Sequence, residues 1–474
     1  MRLAKTSVVY FISDVVTSIV GFLATVYFAR VLGASVLGKY YVIIALVAWL
    51  SIPTNGVTTA IAKRMSEEIE QGEFLTAGFL LNGFLAIAIT VTVITFRGHL
   101  NTYIGLEIAL FVLLVFLGNI GFLSITGSLK GQHLVTYSGL LKTFDRIVRV
   151  TAQLLFVALG YSVIALVSGH VIGLVLAVAA GLLLSRVEFA LPRLSHLQGI
   201  ASYAKYSWLG NMKGKTFAWM DTLILSLFVS SGLIGIYEVS WRLASVLILV
   251  SNAVQQTLFP EMSRVAMEDN TDRMLNLLNE GLFAAGLFVI PGLIGALILG
   301  PKILRIYGPE FVKGNVVLIV LITARGIDAY GTQFENLINA FDRPDLMFKV
   351  NFLFILTNVT LNLVLINLYG WVGAAIATAV SSLLVIVFGY YYVSKLLGKP
   401  DIPVHDIGTE ILAGVVMGGF VWLLRALLPW SNMYVTVGLV LTGAFTFIVV
   451  LFAISRRFRK KTVGVLPDHI VRVV

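Results

Sequence analysis

The 474 residues are 58% hydrophobic and only 12% charged, with a mean hydropathy of +0.94. Soluble domains carry about 25% charged residues, so this chain cannot cover a water-facing surface and reads as an all-α integral membrane protein. The absence of Cys excludes disulfides, thiolate catalysis and Cys-based metal sites, and the net charge of +10 must be read from where the charges fall.

Apolar runs of about 20 residues, enough to cross a hydrocarbon core, recur from end to end. They predict 14 transmembrane helices near 8–29, 38–62, 75–96, 104–128, 144–160, 162–185, 206–230, 234–260, 278–300, 314–340, 348–368, 371–394, 407–428 and 433–455. The first run, Val8 to Ala29, is long enough to stay as a span, so no cleavable signal is needed. With the N-terminus inside, the cytoplasmic segments collect 25 Lys and Arg against six outside, and three more (Arg242, Arg325, Arg425) lie within spans. That asymmetry places both termini on the cytoplasmic side of the cell membrane. The basic excess therefore serves topology and anionic inner-leaflet lipid, not nucleic acid. Aromatic residues mark the outer interface at Tyr40, Tyr41, Tyr369, Trp371, Trp430 and Tyr434, and the inner one at Tyr203, Tyr206, Trp208 and Tyr390 to Tyr392. The segment from Val187 to Tyr206 contains a Pro, has an amphipathic look and is expected to lie along the membrane. The terminal run Arg456 to Lys461 reads as a stop signal beside anionic lipid.

The stretch from Phe28 to Ser66 returns from Leu225 to Ser263 at a constant offset of 197. Ungapped identities are Gly38/Gly235, Tyr40/Tyr237, Val42/Val239, Leu46/Leu243, Asn55/Asn252, Val57/Val254, Met65/Met262 and Ser66/Ser263. A fainter match lays Gly160 and Ala165 on Gly370 and Ala375. Two similar halves suggest a transporter. The expected organisation is a six-helix bundle over 1–186, a linker over 187–205 and a pseudo-symmetric six-helix bundle over 206–395. Two further helices over 396–455 and a basic cytoplasmic tail over 456–474 follow.

Ionisable groups at bilayer depth cost several kcal/mol unless they face a cavity or a partner, so they point to function. The acidic ones are Asp14, Asp221, Asp328 and Glu335, and His170 lies in the sixth span. Arg325 and Asp328 are three apart and share a helix face, so they can pair. A buried ion pair that fixes packing is the alternative to a coupling role for Asp328 and Asp221. Among the cations, Arg30 and Arg64 close the first two spans, Lys142, Arg146 and Arg149 stripe one face of the fifth, and Arg242 and Arg325 lie deeper. A striped cationic face must look into the protein or a wet cavity. Guanidinium groups there suit a pyrophosphate, since they stay charged and donate in bidentate pairs. Pro53 and Pro291 should bend their helices, with Asn55 placed to satisfy a freed carbonyl.

Four stretches carry a family resemblance: ARVLGASVLGKYY, DTLILSLFVSSGLIGIYEVSWRL followed by FPEMSR, IYGPEF, and TNVTLNLVLINLYGWVGAAIATAVS. The chain resembles the polysaccharide exporters, which include O-antigen and lipid-linked oligosaccharide flippases of the multidrug/oligosaccharidyl-lipid/polysaccharide exporter superfamily. The resemblance implies two six-helix bundles in a V around a cationic cavity, and alternating access that moves a polyprenyl-pyrophosphate glycan outward. It marks Arg30, Asp221, Arg242 and Arg325, with Asp14 beside them, as functional suspects. The substrate-binding candidates are then Arg30, Arg64, Arg146, Arg149, Arg242 and Arg325, and the ion-coupling candidates Asp14, Asp221, Asp328 and Glu335. The alternative is a cation-coupled multidrug or small-metabolite antiporter of the same superfamily, which would favour an acidic, aromatic pocket. An enzyme is disfavoured, because the chain has no Asp-x-Asp and no GxxxxGK[ST] phosphate loop. Transport must then draw on a proton or sodium gradient or run downhill, with no cofactor. The expected partners are the lipid-linked oligosaccharide, membrane lipids, and a glycan polymerase or glycosyltransferases.

Overall fold

The computed structural model describes residues 2–104, 108–268, 270–428 and 433–465, and all regular structure among them is helical. Helices α1 (Arg2–Leu50), α2 (Ile52–Met65), α3 (Gln71–Thr95), α4 (Arg97–Ile104), α5 (Ile108–Gly131), α6 (Val135–Ala158), α7 (Val163–Leu184) and α8 (Leu194–Phe228) come first. They are followed by α9 (Ser231–Val246), α10 (Leu249–Ala266), α11 (Thr271–Arg305), α12 (Asn315–Ala340), α13 (Pro344–Tyr369) and α14 (Trp371–Leu397). The chain ends in α15 (Val404–Leu427), α16 (Met433–Ile454) and α17 (Arg456–Val465). Among the described residues nine helices are long and apolar enough to cross a membrane, or ten if α9 and α10, bent by 49°, form one span. Their outward faces carry large apolar side chains such as Phe84 and Phe445, each 69% exposed, as lipid contact requires. Trp430 lies outside the described residues, as do the side chains of Asp14, Tyr206 and Trp208.

The chain folds as two compact units, residues 1–235 and 236–474. In the first, Ile43, Val47, Val112, Phe116, Val163 and Leu174 form a core shared by α1, α5 and α7. A second core joins α2, α3 and α8 through Ile61, Met65, Leu75, Ala77 and Ile200. In the second unit, α10 to α14 share a core around Met262, Leu278, Leu282, Phe334, Leu337 and Val393. Helices α11, α15 and α16 meet through Leu299, Met417, Val421, Leu439 and Phe447.

Several boundaries differ from the expected ones for local reasons. The first two spans are continuous through Leu50 except at Gly33, whose φ of 78° only glycine adopts without strain. A second break follows at Ser51, because Pro53 lacks a donor and restarts the helix as α2. Around the break Ser51 Oγ donates to Val47 O at 2.7 Å and Thr54 Oγ1 donates to Ser51 O at 2.9 Å, while the Asn55 amide nitrogen is buried without a hydrogen-bond partner and so answers no freed carbonyl. Helix α11 runs on through Pro291. The linker is helical from Leu194 and continuous with the following span as α8, pinned where His196 Nε2 meets Glu70 Oε2 at 2.8 Å.

The duplicated segments touch one another inside the first unit. A Cβ on Gly38 would lie 1.7 Å from Ser231 O, and one on Gly235 would lie 2.0 Å from Ala34 O. Since 34 and 231, like 38 and 235, are equivalent positions of the repeat, the contact is reciprocal. Sequence identity between apolar helices is weak support for duplication, and this reciprocity is independent support.

Candidate functional site

In the first unit the polar residues gather where α6 lies on α7. Gly169 and Gly173 are four apart on α7, and a Cβ on Gly173 would lie 2.8 Å from both Asp145 Oδ1 and Arg149 Cβ. Small residues at that spacing let helices in a membrane approach backbone to backbone. Asp145 and Arg149, one turn apart on α6, form an ion pair in that crevice with side chains 8% and 14% exposed. Arg146 extends to α1, its Cζ 3.4 Å from where a Gly21 Cβ would be. Thr17 and Thr143 hydroxyls sit 3.3 Å apart beside it. His170 Nδ1 is 2.9 Å from the Tyr40 hydroxyl, so this buried histidine has a packing partner. Asp221 is buried on α8. Arg64 sits apart from this cluster, 3.2 Å from Glu67 and over the Phe74 ring, while Arg30 is exposed just before the Gly33 break.

In the second unit Arg325 and Asp328 pair at 3.3 Å on α12, and the Arg325 guanidinium stacks on Trp241 at 5.0 Å from the ring centre. Arg242 lies 4.0 Å from Glu238 one turn back on α9. Glu335 and Asn336 are buried further along α12, and Gln255 Nε2 donates to Asn336 Oδ1 at 2.8 Å. Arg64, Arg149, Arg242 and Arg325 each form an ion pair with a carboxylate one helical turn away. Each couple is an electrically balanced guanidinium that a more highly charged anion can draw away from its carboxylate. No group of three or more His, Asp or Glu able to hold a metal occurs among the described residues.

A family model described as polysaccharide biosynthesis protein matches residues 3–266. The chain belongs to this family. It is 31% identical over 474 residues to the probable flippase AglR of Haloferax volcanii, covering 99% of both chains. It is 29% identical over 425 residues to the probable low-salt glycan biosynthesis flippase Agl15 of the same organism, covering 88% of this chain and 90% of that one. Its fold matches a structure of the lipid II flippase MurJ in an inward closed conformation with a TM-score of 0.77 at 16% identity, over 95% of this chain and 99% of the other. An inward-facing multidrug resistance MATE family transporter of the MOP superfamily matches with a TM-score of 0.65 at 14% identity, over 80% of this chain and 95% of the other.

Three features of this polysaccharide biosynthesis family member go beyond the residues singled out from sequence. Asp145 and Glu238 each stand four before an arginine, the same spacing logic that pairs Arg325 with Asp328, and were legible by that rule. Glu410 on α15 is fully buried, and both its carboxyl oxygens are buried without a hydrogen-bond partner. It faces Gly286 of α11 and Tyr330 of α12, whose missing Cβ and hydroxyl mark the same small space. The third is a row of carboxamides on α10 and α12.

Proposed function

We propose that the protein is a flippase that moves a polyprenyl-phosphate or pyrophosphate-linked oligosaccharide from the cytoplasmic to the outer leaflet by alternating access, for surface glycan biosynthesis. The observation that carries this reading is the end-to-end relation to the probable flippase AglR, together with the family match. Agl15, related over 88% of this chain, is also named as a probable low-salt glycan biosynthesis flippase. Arg30, Arg64, Arg146, Arg149, Arg242 and Arg325 are the residues we assign to the anionic head group. Where a carboxylate partner stands beside them, a diphosphate competes for the guanidinium, so substrate arrival and carboxylate release are linked. Asp221, Asp328 and Glu335, with Asp14, are the candidate coupling carboxylates for a proton or sodium gradient. On this reading the chain has fourteen spans in two six-helix bundles plus two C-terminal helices, both termini are cytoplasmic, and glycosyltransferases or a polymerase act beside it.

A cation-coupled multidrug or small-metabolite antiporter is the second reading. The fold shared with multidrug transporters favours it, while the basic inventory at membrane depth favours an anionic substrate. Purified protein in vesicles should move a fluorescent polyprenyl-pyrophosphate oligosaccharide, and Arg30→Ala or Arg242→Ala should slow it at least tenfold. Transport of organic cations with no movement of the lipid-linked glycan would replace the first reading with the second.

A further inference from the structure

Asn252, Gln255, Gln256 and Phe259 fall at positions i, i+3, i+4 and i+7 of α10, and so form one stripe. Asn336 and Asn339, three apart on α12, line a cavity of about 590 Å³ together with that stripe, and Asn336 Oδ1 accepts from Gln255 Nε2 at its wall. This is the size of a small-ligand site. Gln255 and Asn336 answer each other in part, whereas Asn252, Gln256 and Asn339 are exposed and leave their amides open to water or a ligand. Among the described residues that line the cavity none is ionisable, so its chemistry is neutral. A carboxamide offers two donors and an acceptor. Sugar hydroxyl and acetamido groups offer the same mixture, and the 37% exposed Phe259 ring supplies an apolar face for the C–H side of a pyranose. A phosphate would find no counter-charge here, and an organic cation no carboxylate.

Charge lies at a fixed distance along the same helix. Arg325 and Asn336 are eleven residues apart on α12, which at 1.5 Å per residue is about 16 Å. A molecule with a phosphate at one end and a few linked sugar rings at the other spans that length.

We propose that the α10–α12 cavity is a sugar-binding subsite that takes neutral hexose or N-acetylhexosamine units, while the phosphate end is held by the arginines. The identity of the physiological ligand rests on the flippase reading, whereas the carbohydrate chemistry of the cavity does not.

The test uses the full chain in nanodiscs and in vesicles. Saturation-transfer NMR with a panel of neutral hexose and N-acetylhexosamine trisaccharides, free of lipid and phosphate, should show transfer to at least one. The double variant Asn252→Leu/Gln256→Leu should lose that transfer, and should slow flipping of a glycan-bearing polyprenyl pyrophosphate at least tenfold relative to the bare carrier. Asn252→Gln/Gln256→Asn, which keeps the amides, should restore both and so exclude misfolding as the cause. No transfer to any trisaccharide, equal slowing of both carriers, or unchanged glycan flipping in the double variant would overturn the subsite. Saccharide binding that the double variant loses, in a protein that moves neither carrier, would support the subsite and overturn the flippase reading instead.

Discussion

Arg149 and Asp145 share a crevice against α7, with little solvent to fall back on. Removing one partner of such a pair strands a buried charge and typically costs about 3–5 kcal/mol. Asp145→Asn should therefore lower the thermal midpoint in detergent sharply, and the double variant Asp145→Asn/Arg149→Gln should recover much of the loss. Additive losses would show that the two side chains act independently. If Arg149 also grips the substrate, the double variant regains stability and still fails to flip the glycan. Glu410 poses the opposite question, because no hydrogen bond stabilises its charge. Glu410→Gln should leave stability within about 1 kcal/mol, since a neutral isostere loses little where a charge gains nothing. Gly286→Ala should cost about 1–3 kcal/mol by overpacking, because its methyl would sit 2.0 Å from Glu410 Oε2. Spacing along one helix made the Arg325–Asp328 couple readable from the chain. Nothing of that kind announces Glu410, whose neighbours come from α11 and α12, more than seventy residues away.

At the scale of elements, α8 shows how a connection becomes a support. Its first turn carries His196, whose ring meets Glu70 and packs edge-on against Phe74. The hydrogen bond from His196 holds the Glu70 carboxyl below its ordinary value of 4.5. A carboxylate depressed in the fold adds stability above its unfolded value, and that stability is lost as pH falls through the folded value. Backbone exchange protection around Leu194 to Tyr203, corrected for intrinsic rate, should weaken as the pH drops below 4.5. Glu70→Gln should weaken it at neutral pH, and protection that ignores both changes would remove the pin. The amphipathic pattern of this stretch was visible in the sequence, but its burial partners on α2 and α3 were not. A helix that lies on lipid and one that docks on protein need the same apolar stripe. Helices α6, α8 and α12 carry functional candidates, and none of them is among the nine or ten helices that length and apolarity pick out in the described residues.

For the whole molecule, the membrane class follows from composition and the transporter class from the duplication, whereas the partners of most buried charges required the folded chain. Coupling is tested at this scale. Collapsing the proton and sodium gradients in turn should slow glycan flipping with one of them, and Asp221→Asn or Glu335→Gln should blunt that response. Flipping indifferent to both gradients would remove these carboxylates from the coupling role.

The contact between Gly38 and Gly235 bears on how such a chain can change over time. After a gene doubles, its copies are free to drift wherever each faces its own surroundings. Here each copy supplies the notch into which the other's carbonyl fits, at 1.7 and 2.0 Å from a methyl that neither can carry. Any side chain gained by one half must be absorbed by a backbone shift in its twin, so these two codons are bound to a common fate while the helices around them diverge.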